Sequence, residues 1–340
     1  MAAAVAAAVG DIPVPVAMAF EEKQAHEQEV KEIQGALLVC AGPPQGMLPV
    51  LSSSSDTVRA CSLLSHAAVS RLDPSLAALR ALPPQRPQRT RVTGTEDGFE
   101  VVIDQLTLPP YWATRDGVHI FPDPNRIAEV QQLMTDTWRT RFTRDRWLVG
   151  GAERVPLGCR VANVLRVENH RAYTRYMNYK DGLRVKRPGP CMPFRTQTSD
   201  RINLLDDDVN ERYLFHGTNP ESAQSIARDL FKIDRAGSCA GSMFGRGIYL
   251  AENASKSDEY AKEGAGVYLG LCAMLLCRGA MGEVLTVSEA GDMQEKVRAG
   301  GYDSVCGDRL AAAGTFREMV FFNEEAVYAE FIVIYTRIYE

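Results

Sequence analysis

The sequence predicts an α+β protein with mostly antiparallel sheets, and two observations carry that prediction. Short apolar stretches of strand type dominate residues 92–340, and the helical patterns are grouped among them. A parallel, doubly wound sheet would instead alternate strands with helices along the chain. The glycine-rich turn before residue 248 leads into a strand and has no strand–helix–strand unit around it, which argues against a Rossmann dinucleotide site.

The chain has 340 residues, 45% of them apolar and 24% charged, which is typical of a soluble globular protein. A net charge of -5 provides no general electrostatic attraction for nucleic acid, so no clear nucleic-acid site is expected. The eight cysteines form no CxxC pair, and their spacing suits neither a zinc site nor a disulfide framework. We therefore expect free thiols in an intracellular compartment, nuclear or cytoplasmic, with no metal and no membrane span.

Residues 1–91 are predicted to be an N-terminal extension and residues 92–340 a folded domain. The first 20 residues are rich in Ala and Val but lack the basic start of a secretory signal, which favours a low-complexity tail. Residues 82–91 are Pro-rich and basic without apolar periodicity, a composition typical of a linker. The extension is further predicted to contain short helices at 20–34 and 56–72 and a strand at 35–40.

Two helices and two strands are predicted in the first half of the domain. The strands are 98–106 and 161–169, and the helices are 124–142 and 170–184. The first helix has an apolar stripe at spacings of three and four, formed by Ile127, Val130, Leu133, Met134, Trp138 and Phe142. The second contains Tyr173, Tyr176 and Tyr179, which we interpret as packing residues and not a base-stacking surface, because the domain has no basic excess.

The second half of the domain is predicted to begin with two capped helices. Helices at 220–230 and 254–263 follow Asn219 and Asn253, which are favourable N-cap residues. The predicted strands are 245–251 after the glycine turn, 267–277 as a run buried on both faces, and 317–322 and 326–339 around a turn at 323–325.

Candidate binding residues concentrate between residues 213 and 260. Gly241, Gly245 and Gly247 suit either a tight turn or the close approach of a ligand to the backbone. Ser257 and Tyr260 are three residues apart on a predicted helix, so their side chains share a face. A hydroxyl and an aromatic ring on one face suit a flat ligand that carries an amide, such as nicotinamide.

Taken singly, most of these residues would also suit a purely structural role. Tyr249 and Tyr260 suit a hydrophobic core equally well by spacing alone, and a histidine at a strand end, such as His216, is usually structural. Glu318 is more distinctive because it begins an apolar strand, where a carboxylate needs a hydrogen-bond or ion-pair partner or has a functional role.

Four separated motifs together resemble the catalytic domain of the poly(ADP-ribose) polymerase family. They are RYLFHGT, GSMFGRGIYLAENASKSDEYA, YDSVCG and FREMVFF followed by VYAEFIVIYTR. The resemblance extends from LPPYW at residue 108 to the C-terminus, and the upstream segments look like those of tankyrase-like and macrodomain-bearing members. It implies an ADP-ribosyltransferase fold, with two packed, mostly antiparallel sheets and short flanking helices. Residues 1–91 match none of the family's accessory domains.

The resemblance implies a reaction in which ADP-ribose passes from NAD+ to an acceptor and nicotinamide is released, the chemistry of a pentosyl-transferring glycosyltransferase. NAD+ is then a substrate, and no metal is required. The transition state resembles an oxocarbenium ion, so the site must supply positioning and a negative charge near the ribose.

The resemblance also implies roles for six residues. His216 matches the histidine that holds the adenosine ribose, while Gly217 and Ser257 match the pair that binds the carboxamide. Tyr249 and Tyr260 match the tyrosines on either side of the nicotinamide ring. Glu318 matches the glutamate of the His-Tyr-Glu triad, whose catalytic members here are His216, Tyr249 and Glu318.

Glu330 is the rival for the glutamate position. We favour Glu318 because it opens the REMVFF strand in the expected place, whereas Glu330 lies in a segment that matches the next strand of the family. The segment between Leu230 and Phe244 is slightly longer than the common pattern and contains Ser238 and Cys239, so the loop over NAD+ is expected to differ in shape.

Three functions remain open at this level. The first is transfer to a protein or other acceptor, in mono or polymeric form, with the chain itself among the candidate acceptors. The second is a scaffold module that binds NAD+ weakly or not at all and works through partners. The third is NAD+ hydrolysis, with water as the acceptor.

Overall fold

A computed structural model describes residues 89–96, 99–146, 155–198, 202–235 and 243–339. The predicted elements at 20–34, 35–40 and 56–72 lie outside the described residues, as do Ser238 and Cys239. The first described strand, β1, begins at Arg89, inside the segment predicted as a linker. The boundary at residue 92 stays a prediction.

The described part of the chain contains eleven strands. A separate antiparallel hairpin is formed by β1 (Arg89–Glu96) and β2 (Phe99–Leu106). The other nine form one sheet in the order β3-β4-β11-β7-β5-β6-β10-β9-β8. Their bounds are β3 Val118–Pro122, β4 Gly158–Asn169, β5 Glu211–Thr218, β6 Ile248–Ala251, β7 Cys272–Ala280, β8 Val284–Val287, β9 Ser304–Asp308, β10 Arg317–Phe321 and β11 Val327–Ile338.

The α+β class is confirmed, because the neighbouring strands of the described sheet are antiparallel except for β8 with β9. The expected two sheets are joined at one point. Strands β5 and β6 pair through a single residue pair, Phe215 with Ala251. This pair joins a half of five strands, β3 to β5 in the sheet order, to a half of four strands, β6 to β8. The two halves therefore meet at one residue pair.

Six α-helices have both ends within the described residues. They are α1 Ile127–Thr137, α2 His170–Lys186, α3 Pro220–Asp229, α4 Ala254–Asp258, α5 Gln294–Arg298 and α6 Arg309–Ala313. Asn219 caps α3 as predicted, since its side chain accepts a hydrogen bond from the Ser222 backbone. Helices α5 and α6 were not expected from the sequence, because each contains only five residues and no repeated apolar spacing.

The predicted helix 124–142 is shorter in the structure. A 3-10 turn occupies Pro124–Arg126, and α1 ends at Thr137, because Trp138 adopts an extended backbone. Most of the predicted stripe packs into the core, but Phe142 lies beyond the helix end and is exposed. The apolar spacing continued past the helix and therefore misplaced Phe142.

Residues that alternate along the central strands pack into two different hydrophobic clusters. Leu214 and Leu275 belong to a cluster shared with Ile248 and Phe321, so it joins the two halves of the sheet. Phe215 and Met274 face the other way and pack with the apolar stripe of α1. All nine residues of β7 are buried, but the predicted strand 267–277 begins only at Cys272. Gly266–Tyr268 forms a 3-10 turn instead, and Val267 and Leu269 are exposed.

The tyrosines of α2 pack against the protein as predicted. Tyr173 and Tyr176 are buried in a third cluster with Trp112 and Tyr328, and Tyr179 is partly buried beside them. The five described cysteines are free and buried, in agreement with the predicted thiols. Among the described residues, no helix is long and apolar enough to span a membrane.

Candidate active site

The predicted site residues converge on the junction between the two halves of the sheet. Ala251 of β6 pairs with Phe215 of β5 on one side and with Glu318 of β10 on the other. His216 follows Phe215, and Tyr249 precedes Ala251 on the same strand by two residues. Three adjacent strands therefore bring together residues that are far apart in the sequence.

His216 has one ring nitrogen committed to the protein. Its Nδ1 lies 3.0 Å from the carbonyl oxygen of Tyr249, and a carbonyl only accepts, so Nδ1 carries the proton. Burial lowers the pKa of His216, which keeps the ring neutral at physiological pH. The Phe231 ring packs edge-on, with 5.1 Å between centroids. The neutral ring therefore presents Nε2 as a hydrogen-bond acceptor, suited to a hydroxyl donor.

Tyr249 is held by its hydroxyl. The Phe244 backbone N–H donates to the hydroxyl oxygen at 2.9 Å, and the hydroxyl donates to the Gly245 carbonyl at 2.8 Å. Burial raises the pKa of Tyr249 to about 12, so the phenol stays neutral. Gly245 has a φ of +109°, and a Cβ there would lie 2.4 Å from Asp292. This glycine therefore serves the turn that holds Tyr249.

Gly217 and Ser257 touch each other closely. A Cβ added to Gly217 would lie 1.6 Å from the Ser257 carbonyl oxygen, so only glycine fits. The Ser257 hydroxyl donates to the Phe215 carbonyl at 2.8 Å. Its oxygen lone pairs remain available to accept a hydrogen bond from an amide N–H, as the predicted carboxamide role requires.

The segment after β6 differs from the predicted helix 254–263. Helix α4 ends at Asp258, and Tyr260 lies just past it, with its N–H bonded to the Ser257 carbonyl at 3.1 Å. Asn253 does not cap α4 through its side chain, because its amide donates to the Thr137 carbonyl instead. Tyr260 therefore lies outside the helix on which it was predicted, and its hydroxyl bonds to Asp145 while that of Ser257 bonds to Phe215.

Glu318 is half-buried among both charges and rings. Its carboxylate lies 3.6 Å from the Lys256 ammonium. Burial raises the pKa of Glu318. The Lys256 ammonium lowers it, whereas the negative charges of Asp145 and Glu259 raise it further, and the net pKa is raised. A carboxylate with a raised pKa next to a cation is typical of a catalytic base.

Lys256 is the main residue that the sequence interpretation missed. Its ammonium contacts Asp145 at 2.6 Å and Glu259 at 2.9 Å, besides Glu318. Burial alone would lower the pKa of Lys256, but these anions outweigh burial and raise it, so the ammonium stays charged. The i,i+3 spacing of Lys256 and Glu259 could have indicated that pair. No sequence signal connects Lys256 with Asp145 or Glu318.

Glu330 occupies a buried polar network away from this junction. It is fully buried and accepts hydrogen bonds from Tyr213 at 2.6 Å, Asn203 at 3.0 Å and also Tyr111. Arg278 lies 3.4 Å away. The pairing of β11 with β7 shifts register between Ala329 and Phe331, so Glu330 lies at an irregularity of the strand. Its hydrogen bonds therefore stabilise the fold.

Replacement of Gly217 by alanine is expected to weaken, by about 100-fold, the NAD+ binding that the resemblance implies. The new Cβ forces the Ser257 backbone away, and a displacement of about 1 Å in a site that positions a substrate costs about this factor. Calorimetry with NAD+ would measure this loss. Gly182→Ala is the matched control, since a Cβ there meets nothing within 4 Å. Unchanged affinity in Gly217→Ala would remove Gly217 from the carboxamide site.

Two comparisons with known proteins bear on the family of this chain. The model of the poly(ADP-ribose) polymerase catalytic domain matches residues 113–320. A stretch of 91 residues is 40% identical to the poly [ADP-ribose] polymerase tankyrase of Caenorhabditis elegans. That stretch covers 26% of this chain and 4% of the relative, so the two proteins share only a small part of the relative's length.

The family match spans the strands that carry His216, Tyr249 and Glu318, and it covers more than half of the chain. The resemblance to the family is thereby confirmed, although the match ends at residue 320, before the final VYAEFIVIYTR segment. The chain belongs to the poly(ADP-ribose) polymerase family.

Proposed function

We propose that this chain transfers ADP-ribose from NAD+ to an acceptor and releases nicotinamide. The observation that carries the proposal is the arrangement of His216, Tyr249 and Glu318 on the adjacent strands β5, β6 and β10. The family membership supports the same reaction class. Within the described residues, no group of three or more His, Cys, Asp or Glu side chains is placed to hold a metal ion.

The site residues fit the parts of NAD+ that the reaction must hold. Neutral His216 offers Nε2 to a ribose hydroxyl, and Ser257 offers an acceptor to the carboxamide N–H. The absence of a Cβ on Gly217 permits the close packing of β5 on α4 at this point. Tyr249 and Tyr260 supply aromatic surfaces for the nicotinamide ring, each with its hydroxyl fixed by a hydrogen bond.

Glu318 supplies the charge in this proposal. The bond between the nicotinamide nitrogen and the ribose C1′ breaks, and the departing ring takes the electron pair and becomes neutral. The ionised carboxylate stabilises the positive charge that develops on the ribose. A hydroxyl of the acceptor then bonds to C1′, and its proton passes to Glu318.

The test is incubation of the full chain with radiolabelled NAD+, followed by gel electrophoresis. A sharp labelled band would indicate single transfer and a ladder would indicate polymer; label on the chain itself would indicate automodification. His216→Ala is expected to lose transfer by a factor of about 100 or more, because the ribose hydroxyl loses its partner. Circular dichroism should show that the variant remains folded.

The alternatives predict different results in the same assay. Free ADP-ribose as the main product, with no labelled protein, would favour NAD+ hydrolysis. No turnover together with no calorimetric binding of NAD+ would favour a scaffold module. Undiminished transfer by folded His216→Ala would reject its assigned role.

A further inference from the structure

Residues 139–146 form a segment that lies along α4 and the residues just after it. The Arg139 backbone N–H donates to Ser255 Oγ at 2.9 Å, and Thr143 donates to Glu259 at 2.6 Å. Arg146 forms a buried ion pair with Asp258 at 2.6 Å. The 139–146 segment is therefore anchored at three points to the part of the chain that contains Lys256, Ser257 and Tyr260.

Asp145 is the member of this segment that reaches the candidate site. One of its carboxylate oxygens, Oδ2, accepts from the Lys256 ammonium at 2.6 Å and from the Tyr260 hydroxyl at 2.8 Å. Lys256 in turn lies 4.9 Å from the centre of the Tyr260 ring and 3.6 Å from Glu318. A single carboxylate thus binds both the predicted ring-binding tyrosine and the cation beside the predicted catalytic glutamate.

We infer that Asp145 is a positioning residue that orients Tyr260 and Lys256 and, through Lys256, sets the charge environment of Glu318. The inference rests on the proposed function of Glu318. Asp145 bonds to Tyr260 and Lys256, and its negative charge also acts directly on Glu318. The tyrosine ring cannot rotate away without losing the hydrogen bond to Asp145.

The charge balance around Glu318 makes the inference testable. The charged and titratable groups that face it are Lys256, Asp145, Glu259, Tyr249 and Tyr260. Burial would raise the pKa of Asp145, but Lys256 outweighs this and lowers it, so Asp145 is ionised at neutral pH. Its negative charge raises the pKa of Glu318. Removal of that charge must therefore lower the pKa of Glu318.

The experiment measures kcat for ADP-ribose transfer against pH in the full chain and in Asp145→Asn. Activity requires ionised Glu318, so the acid limb of the profile follows its pKa. In Asp145→Asn the limb should move to lower pH, and kcat at the optimum should fall about tenfold because two charge-assisted hydrogen bonds are weakened. Asp145→Glu retains the charge and should keep the limb near its original position.

Two controls separate positioning from general disturbance. Asp136→Asn removes an equal charge from an exposed position of α1, where the carboxylate accepts from Gln132. This variant should leave the acid limb of the pH profile unchanged. Thr143→Val removes an anchor of the 139–146 segment but keeps the Asp145 charge. If Asp145 had only a structural role, Thr143→Val and Asp145→Asn would give the same profile, with a lower kcat at every pH and an acid limb that does not move. That result would overturn the inference.

A second measurement does not depend on turnover. Carboxyl-carbon NMR titration of Glu318, assigned with Glu318→Gln, reports its pKa directly in the unmodified chain and in Asp145→Asn. A lower pKa in the variant supports the inference even if the chain transfers no ADP-ribose, in which case only the proposed function fails. An equal pKa in both proteins would contradict the inference.

Discussion

Glu318→Gln is expected to lower the rate of ADP-ribose transfer by about 100- to 1,000-fold, the usual cost of removing a group that stabilises transition-state charge. The amide keeps the shape of the side chain but removes the negative charge beside the ribose and the base for the acceptor hydroxyl. Initial rates with labelled NAD+ at saturating concentration would measure the effect.

The same substitution should not weaken the fold. The folded-state pKa of Glu318 is raised, so the ionised form costs stability as pH rises through the interval from its unfolded to its folded pKa. A neutral amide avoids that cost. Lys256 keeps Asp145 and Glu259 as partners, so no buried cation is left unpaired. The thermal midpoint at neutral pH should therefore be unchanged or higher, and a large decrease would indicate a structural role.

Glu330→Gln is expected to lower the free energy of unfolding by about 3 kcal/mol, since removal of one partner from a buried ionic network leaves the others mispaired. Tyr213, Asn203 and Arg278 all direct donors at this carboxylate. A glutamine presents one acceptor and two N–H donors in its place. Urea denaturation followed by fluorescence would measure the loss.

The two glutamate variants form a matched pair, because the same atoms change in each. At a temperature where Glu330→Gln is still folded, its transfer rate per folded molecule should remain close to that of the unmodified chain. Loss of transfer in folded Glu330→Gln, with full activity in Glu318→Gln, would exchange the roles of the two residues.

The sequence predicted the class of fold well, because strand and helix patterns are local. Cys272–Cys277, the first six residues of β7, form an unbroken apolar run, and Asn219 with Pro220 is a start signal for α3. Element ends were predicted less well. The apolar spacing of α1 continues to Phe142, but the helix ends at Thr137, and nothing in the local pattern indicates that end.

By itself, the sequence determined the family and the α+β class, and it identified six candidate site residues, because each candidate lies in a motif that is contiguous in the chain. The tertiary structure decided which residues surround them. It places Glu330 in a buried network and Glu318 beside Lys256, and it brings Asp145 onto Tyr260. The physical reason is that electrostatic and hydrogen-bond partners act through distances of a few ångströms, whereas these partners are separated by long stretches of chain that only folding brings together.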